Sequence, residues 1–297
     1  MKRLIYGLVF CALLAWCIKI SYFALTAGFS VANISSDHSD RPQWDIEPLT
    51  SIEAEEVESA LAQEYSYLGK GHQAYVFESK DKRYVLKFLK FQKYRHHPIV
   101  AALPLPEFIF KILQKQKIHK EEKRDALFTS WKIAFSKLKD QTQVVFIHIN
   151  RTEPFDKILT LYNKAGYAYQ LDLSQYAFLL QRKADLFDET LKRQMDSGNL
   201  TEAKALLEGL FTLYQSEYQQ GIFEEDRYIV RNTGVIGNKP IQIDTGRLRE
   251  DDTFKGPKKQ AKEILWKTTL LKEWLELHYP ELASYFKGRL HEFEQIQ

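Results

Sequence analysis

A short segment, 68–88, combines two closely spaced glycines with a lysine near the end of an apolar run; it reads LGKGHQAYVFESKDKRYVLKF. Gly69 and Gly71 lack a Cβ, so the backbone there can adopt positive φ and its amides can approach an anionic group closely. The alternating residues on either side predict a hairpin whose second strand carries Lys87 on the same face as Val85. We expect this hairpin to place backbone amides and one ammonium group over a polyphosphate.

A second segment, 221–248, reads GIFEEDRYIVRNTGVIGNKPIQIDTGRL and is rich in polar side chains between apolar ones. Two short apolar runs on either side of Gly237 and Asn238 predict a hairpin, which would bring Asn232 and Asp244 to the same end. Carboxylate and amide oxygens are ligands that Mg²⁺ prefers. The sequence therefore predicts a magnesium site at Asn232 and Asp244.

The acid–base candidate is Asp226, which lies a short distance before the predicted metal ligands and could accept a proton from an attacking hydroxyl group or orient it. Simpler interpretations compete with these roles. The two glycines fit an ordinary hairpin turn, and Lys87 fits a charge that protects a sheet edge. Asp244 fits the first position of a turn, and Asp226 fits a solvated acid.

The elements that must position these residues change type along the chain. Residues 51–65 predict a capped helix, with Ser51 or Thr50 at the cap and Glu53 in the first turn. Periodicity then predicts a mixed sheet of about five strands followed by a helical half, with a boundary near Lys183. The remaining predictions are helices at 106–118, 120–139 and 202–218 and strands at 144–149, 158–161 and 176–181.

The N-terminus predicts a membrane anchor. Lys2 and Arg3 precede an apolar run at 4–18, and after Lys19 a second apolar run covers 20–29. Together the two runs are long enough to cross a bilayer if the lysine is paired or extends to the interface. A signal peptide cleaved near residue 26, which would give a secreted protein, is the alternative. Because positive charge precedes the run and acids follow it, we expect the body of the protein on the non-cytosolic face. That orientation conflicts with a need for ATP.

Composition adds limits. The net charge is +3 with acids and bases interspersed, so no nucleic-acid partner is expected. A lysine-rich stretch at 111–124 fits a solvated helix face or a surface that binds a membrane or a polyanion. Cys11 and Cys17 both lie in the predicted anchor, so the body can form neither a disulfide nor a thiolate metal site.

The motifs together resemble the protein-kinase-like superfamily over residues 66–249. LGKGHQAYVF is similar to the family's glycine-rich loop, with Ala74 at the third glycine position, and YVLKF to the strand that carries the nucleotide-binding lysine. Asp244-Thr245-Gly246 resembles the metal-binding Asp-Phe-Gly. The resemblance implies nucleotide contacts at Gly69, Gly71, Ala74, Val76, Lys87 and Glu122. Glu122 would pair with Lys87, and Asp125 is the alternative partner. It also implies Mg²⁺ ligands at Asn232 and Asp244 and a catalytic Asp226.

The chain departs from the family in ways that imply an atypical member. Glu224 and Glu225 stand in place of His-Arg, and Asp226 precedes Asn232 by six positions where the family usually has five. No Ala-Pro-Glu element follows Gly246. In this respect the chain resembles kinases of small molecules and sugars more than regulated protein kinases.

The resemblance implies an α+β, two-lobed kinase-like fold after an N-terminal anchor. Its parts would be an anchor or signal peptide at 1–30, a linker at 31–50, a small β-rich N-lobe at 51–183 and a helical C-lobe at 184–297. The implied activity is transfer of the γ-phosphate of ATP, with Mg²⁺, to a hydroxyl acceptor at a membrane. The alternative is a pseudokinase, a catalytically inactive kinase fold used as a membrane-bound binding module.

Overall fold

The computed structural model describes residues 2–36, 38–95, 106–151 and 155–296. Its strands are β1 Tyr65–Lys70, β2 Ala74–Ser79, β3 Tyr84–Leu89, β4 Val144–His148, β5 Ile158–Tyr162, β6 Ala168–Asp172, β7 Phe178–Arg182, β8 Asp185–Leu186, β9 Ile222–Glu224, β10 Thr233–Ile236, β11 Lys239–Gln242 and β12 Leu248–Glu250. Its helices are α1 Lys2–Thr26, α2 Val31–Ile34, α3 Ser51–Leu61, α4 Glu107–Ser136, α5 Lys139–Thr142, α6 Phe187–Asp196, α7 Leu200–Gln219, α8 Ile229–Asn232, α9 Pro257–His278 and α10 Pro280–Glu294. The predicted α+β class is confirmed.

The chain divides into two compact units. The first consists of Met1–Asp45, Leu49–Glu121 and His148–Leu180, and the second of Ile46–Pro48, Glu122–Ile147 and Gln181–Gln297. The first unit contains most of the strands of a large sheet, and the second contains the long C-terminal helices.

In the first unit, six strands follow one another in the order β7-β3-β2-β1-β5-β6. The sequence prediction missed β6, a strand with exposed and half-buried residues that pairs antiparallel with β5. Apolar alternation is weak in such an edge strand, because only one face packs against a core. One face of the sheet is aromatic: Phe29, Phe77 and Phe88 are fully buried there. Burial of each such ring contributes about 1.5–3 kcal/mol to folding.

Helix α3 begins at the capping box that its sequence predicts. The side chain of Thr50 accepts a hydrogen bond from the amide of Glu53, and the Glu53 carboxylate accepts one from the amide of Thr50. Two amides that a helix start leaves without partners are thereby satisfied, and of the two predicted N-cap residues, Ser51 and Thr50, the N-cap is Thr50.

Helix α4 was predicted as two helices and is continuous. Neither glycine nor proline interrupts Glu107–Ser136, so nothing in the sequence breaks the helix near residue 119. Its N-terminal half is mostly exposed, and its C-terminal half contributes the buried Leu127, Phe128 and Trp131 to the second unit.

The core of the second unit is formed by α7, α9 and α10. Helix α7 buries the stripe predicted for 202–218, including Leu206, Leu207 and Leu210. Against it pack residues of α10 such as Phe286, whose ring stacks on Phe211 at 5.4 Å. This helical core supports the short strands and turns that carry the polar residues of segment 221–248.

Helix α1 is exposed along nearly its whole length. Its segment Val9–Thr26 has a mean hydropathy of 1.8 and is long and apolar enough to span a membrane, a property that signal sequences share. Residues 31–50, predicted as a linker, include α2 and three buried side chains, Ile34, His38 and Trp44.

Candidate functional site

The glycine turn joins β1 and β2. The amide of Gly71 donates to the carbonyl of Ala74 at 3.0 Å, and a bulge between Tyr67 and Gly69 shifts the register of the two strands just before the turn. Neither Gly69 nor Gly71 has positive φ, so of the two predicted reasons for glycine the one that rests on positive φ does not apply here. Instead, a Cβ added at either position would meet no atom within 4 Å, which leaves open space beside the turn.

A transverse row across three strands connects the turn to the lysine. Gly69 of β1 pairs with Val76 of β2, and Val76 pairs with Lys87 of β3. Directly opposed residues share a face, so Lys87 and Val76 lie on the face opposite the buried Tyr75 and Phe77. Lys87 is half-buried rather than extended into water at an edge strand, because β3 lies between β7 and β2.

Two further lysines hold the turn by its carbonyl oxygens. The ammonium of Lys90 donates to the carbonyl of Gly71 at 2.5 Å and lies 4.8 Å from the ring centre of Tyr75. Lys93 donates to the carbonyl of His72 at 2.6 Å. Burial, together with the nearby charges of Lys93 and Lys70, lowers the pKa of Lys90 to about 8. Sequence reasoning missed both side chains, although their position just after β3 is the signal that could have found them.

In the second unit, the predicted hairpin is present and is formed by β10 and β11 around Gly237, whose φ is +62°. It brings the predicted metal ligands together: the amide of Asp244 donates to the carbonyl of Asn232 at 3.3 Å. Asn232 is buried and the Asp244 side chain is exposed. One Asp244 carboxylate oxygen accepts the amide of Gly246 at 3.1 Å, so the residue also occupies the turn position that its sequence allows.

The turn after Asp244 is fastened by Ser130, a buried residue of α4. Its hydroxyl donates to the carbonyl of Thr245 at 2.6 Å and accepts the amide of Leu248 at 2.7 Å. A serine facing inward on an apolar helix stripe is the sequence signal for this contact, and the sequence prediction did not use it.

Glu224 holds the side chain of Asn232 by a hydrogen bond. A carboxylate oxygen of Glu224 accepts a hydrogen bond from the side-chain amide nitrogen of Asn232 at 2.6 Å, and Glu224 itself is 1% exposed. Burial raises the pKa of Glu224 well above its ordinary range, Lys267 opposes that shift, and the charge of Asp244 adds to it. Because the Asn232 nitrogen is used, its oxygen is the side-chain atom that can serve a cation.

Asp226 lies on the loop between β9 and α8. One carboxylate oxygen accepts the amide of Tyr228 at 3.0 Å, and the other lies 3.6 Å from the guanidinium of Arg247. Its side chain is 22% exposed, so it is reachable by a small substrate and still constrained in direction.

Lys267 of α9 holds the backbone of this loop. The residue is 1% exposed, and its ammonium donates to the carbonyl of Glu224 at 2.7 Å and to the carbonyl of Asp226 at 2.5 Å. Sequence reasoning missed this residue as well. The available signal is its place in an apolar helix stripe, between the buried Ile264 and Leu271, where a lysine needs polar partners.

Glu122, the predicted partner of Lys87, is exposed on α4 and belongs to the second unit. Its alternative, Asp125, pairs with Arg124 at 2.8 Å. The structure thus brings Gly69, Val76 and Lys87 into one row and Asn232 next to Asp244, while the role of Glu122 stays a prediction. Among the described residues, no group of three His, Cys, Asp or Glu side chains could hold a metal, so any cation here would depend on amide, phosphate or water oxygens as well.

No family model and no curated protein matches this chain. Solved structures that it resembles include the bifunctional kinase-methyltransferase WbdD, at a TM-score of 0.34 and 15% identity over 75% of this chain and 42% of that one. This chain therefore spans less than half of the WbdD chain. Another is Rv3197 from Mycobacterium tuberculosis in complex with erythromycin, at a TM-score of 0.33 and 9% identity over 95% of this chain and 81% of that one.

A third similar structure is the ternary complex of APH(2'')-IIa with streptomycin and ATP. Its TM-score is 0.26 and its identity 11%, over 84% of this chain and 93% of that one. All three TM-scores are low, so the site described above is inferred from this chain's own residues.

Proposed function

We propose that this chain is a membrane-tethered, kinase-fold phosphotransferase that uses ATP and Mg²⁺. The observation that carries the proposal is the transverse row in which Gly69, Val76 and Lys87 adjoin across three strands, beneath a turn with open space beside it. Such a row can place backbone amides and one ammonium along a polyphosphate.

The second unit would supply the metal ligands and the general base that a phosphotransferase needs. Asn232 and Asp244 would provide an amide and a carboxylate oxygen to Mg²⁺, whose charge neutralises the phosphates. Asp226, held by Lys267 through its carbonyl, would accept the proton of the attacking hydroxyl group. The gain in rate would come mainly from positioning and from charge neutralisation.

A pseudokinase is the second candidate, and one observation favours it. The polar groups of the second unit already have protein partners: Asn232 binds Glu224, Asp244 binds Gly246, and Asp226 faces Arg247. Such a network could stabilise a fold without any turnover. In that case the chain would bind nucleotide, or a partner, at the membrane and transfer nothing.

The proposal is tested by thermal shift of the full-length chain in detergent, with ATP in the presence and absence of Mg²⁺. The full chain is needed because Phe29 is a fully buried core residue that a shorter fragment would lose. ATP at a hundred times its dissociation constant should stabilise the fold by about 2.7 kcal/mol. We expect Asp244→Asn to abolish the Mg²⁺-dependent part of that shift, and Asp188→Asn, an exposed acid of α6, to preserve it. A full shift in Asp244→Asn would remove this residue from the site.

A further inference from the structure

The end of helix α1 is joined to the sheet by a sharp corner. Ala27 and Gly28 have φ of +55° and +79°, and a Cβ on Gly28 would lie 2.6 Å from the ring of Phe23. The next residue, Phe29, is fully buried and packs edge-on against aromatic rings of the sheet, Tyr75, Phe77 and Tyr169. The helix is therefore attached to the core of the first unit without an intervening flexible segment.

Hydrogen bonds connect this corner to the strands that carry the glycine turn. The hydroxyl of Tyr75, on β2, donates to the carbonyl of Gly28 at 2.5 Å. The ammonium of Lys70, on β1 between Gly69 and Gly71, donates to the carbonyl of Ala27 at 2.6 Å. A helix leaves its last carbonyls without partners, and a cation at its C-terminus is favourable, so these bonds fix the turn to the end of α1.

The length of α1 then sets the depth of the turn. Its 25 residues extend about 37 Å, against a hydrocarbon core of about 30 Å, so a membrane-spanning α1 ends among the lipid headgroups. The turn, one side chain away from that end, lies at the same depth. Further ammonium groups surround it: Lys164 donates to the carbonyl of Ala24 at 3.1 Å, and Lys90 and Lys93 hold the turn. Lysines at this depth suit anionic headgroups.

Helix α4 offers a second contact with lipid on the same unit. Its exposed first turns carry Phe108 and Phe110, 65% and 60% exposed, among lysines. Further along the helix, Lys120 donates to the carbonyl of Arg95 at 2.8 Å, and the Arg95 guanidinium binds the carbonyl of Ala32, just after the α1 corner. Exposed aromatic side chains beside lysines are typical of helices that lie in a membrane interface.

We propose that the phosphoryl acceptor is a membrane lipid or a lipid-linked alcohol whose hydroxyl group lies at headgroup depth. This inference rests on the proposed function. The acceptor oxygen must come within about 3–3.5 Å of the transferred phosphorus. A γ-phosphate under the glycine turn is therefore within reach of a headgroup hydroxyl. The hydroxyl oxygen bonds to the γ-phosphorus, the bond from that phosphorus to the β–γ bridging oxygen breaks, and ADP leaves. The hydroxyl proton goes to the general base of the proposed function, and the product is a lipid phosphate monoester.

The first test follows radioactive phosphate from ATP. The full chain in lipid nanodiscs is incubated with γ-³²P-ATP, Mg²⁺ and both the total lipid extract and the aqueous extract of the cells that express it. We expect label in the organic phase and its loss with Asp244→Asn. Label confined to the aqueous phase, or an ATP-dependent thermal shift without labelled lipid, would overturn the inference. Absence of both label and thermal shift would overturn the proposed function itself.

The second test measures depth and does not depend on turnover. Nitroxide labels are placed at His72 in the turn and at Lys80 beyond the other end of β2, in a Cys11→Ser, Cys17→Ser background. Six strand residues separate these sites by about 20 Å. We expect headgroup-bound nickel to relax the label at residue 72 several-fold more than the label at residue 80. Equal relaxation at the two sites would remove the turn from the membrane surface.

Discussion

The glycine turn and the Asn232–Asp244 hairpin are both candidate ligand-binding regions, and they are supported in opposite ways. The turn is exposed, has open space beside it and is held by flexible lysine side chains that reach its carbonyls. The hairpin ends in a region where Asn232, Glu224 and Lys267 are all buried and paired. The exposed residues of the turn can therefore rearrange around a ligand while Lys70 keeps the turn attached to the end of α1, whereas the hairpin presents its polar groups in a fixed arrangement.

The difference suggests a division of roles. A rigid arrangement suits a metal and a catalytic carboxylate, because both need accurate positions before the reaction begins. An adjustable turn suits a nucleotide that must enter and leave. Substitution of the buried supports of the second region should accordingly affect the fold, whereas substitution in the turn should affect ligand binding.

The largest expected loss of stability follows from substitution of Lys267. Lys267→Met removes the donor to two carbonyls, those of Glu224 and Asp226. A buried acceptor that loses its donor costs about 1–3 kcal/mol. We expect a loss of that size in the free energy of unfolding, measured by urea denaturation. The control is Lys262→Met, an exposed lysine of the same helix. Equal losses in the two variants would contradict a rigid second region.

A smaller effect is expected at Asp226. Asp226→Ala should lower phosphate transfer to the membrane fraction by about 10²-fold or more, since proton-transfer groups contribute roughly 10²–10⁴-fold. The ATP-dependent thermal shift should stay unchanged, because the loop backbone is held by Lys267 rather than by the carboxylate. Glu225→Gln, an exposed neighbour, serves as the control. Unchanged transfer in Asp226→Ala would move the role to Glu224 or Glu225.

Local signals in the sequence were sufficient to predict the turns and hairpins of the two regions. Spacing and alternation located the β1–β2 turn, the strand with Lys87 and the β10–β11 hairpin, because turn residues and strand periodicity act between near neighbours. The capping box at Thr50 was predicted for the same reason.

The supports of the site could not be predicted in this way. Lys267 bonds to Asp226 from 41 residues away, and Ser130 bonds to Thr245 from 115 residues away. Such contacts depend on how the helices pack, which a single sequence does not encode locally. The positive φ predicted for the turn glycines is also absent, and the space beside them is open.

The pH dependence of stability gives a third test of the second region. Both carboxylate oxygens of Glu217 are buried without a hydrogen-bond partner among the described residues, and burial raises the pKa of this carboxyl from 4.5 to about 8, opposed by Lys267. Between these values the folded state keeps a proton that the unfolded state releases, so the free energy of unfolding falls as pH rises, on the order of 1 kcal/mol per pH unit.

Glu217→Gln removes this titrating group while keeping its shape. We expect the variant to be more stable than the unsubstituted protein at pH 7, as measured by urea denaturation at several pH values. Its decline between about pH 5 and 8 should be shallower but not absent, because burial also raises the pKa of Glu224. Glu189→Gln, an exposed glutamate of α6, is the matched control and should leave the decline in place. An undiminished decline in Glu217→Gln would show that Glu217 does not contribute to it.

The smallest expected effect on the fold concerns the turn. A Cβ at Gly71 meets no atom within 4 Å, and the backbone there is not in the positive-φ region. Gly71→Ala should therefore raise the free energy of unfolding, by less than about 1 kcal/mol, because alanine restricts the unfolded chain. The same methyl group occupies the space that a phosphate would need. We therefore expect the ATP-dependent thermal shift to fall while the unliganded fold is intact. Gly198→Ala is the contrasting control: its φ of +74° makes alanine strained, so stability should fall without any change in the response to ATP. An undiminished ATP response in Gly71→Ala would leave the turn as a simple hairpin connection and confine ligand binding to the buried, fixed groups of the second region.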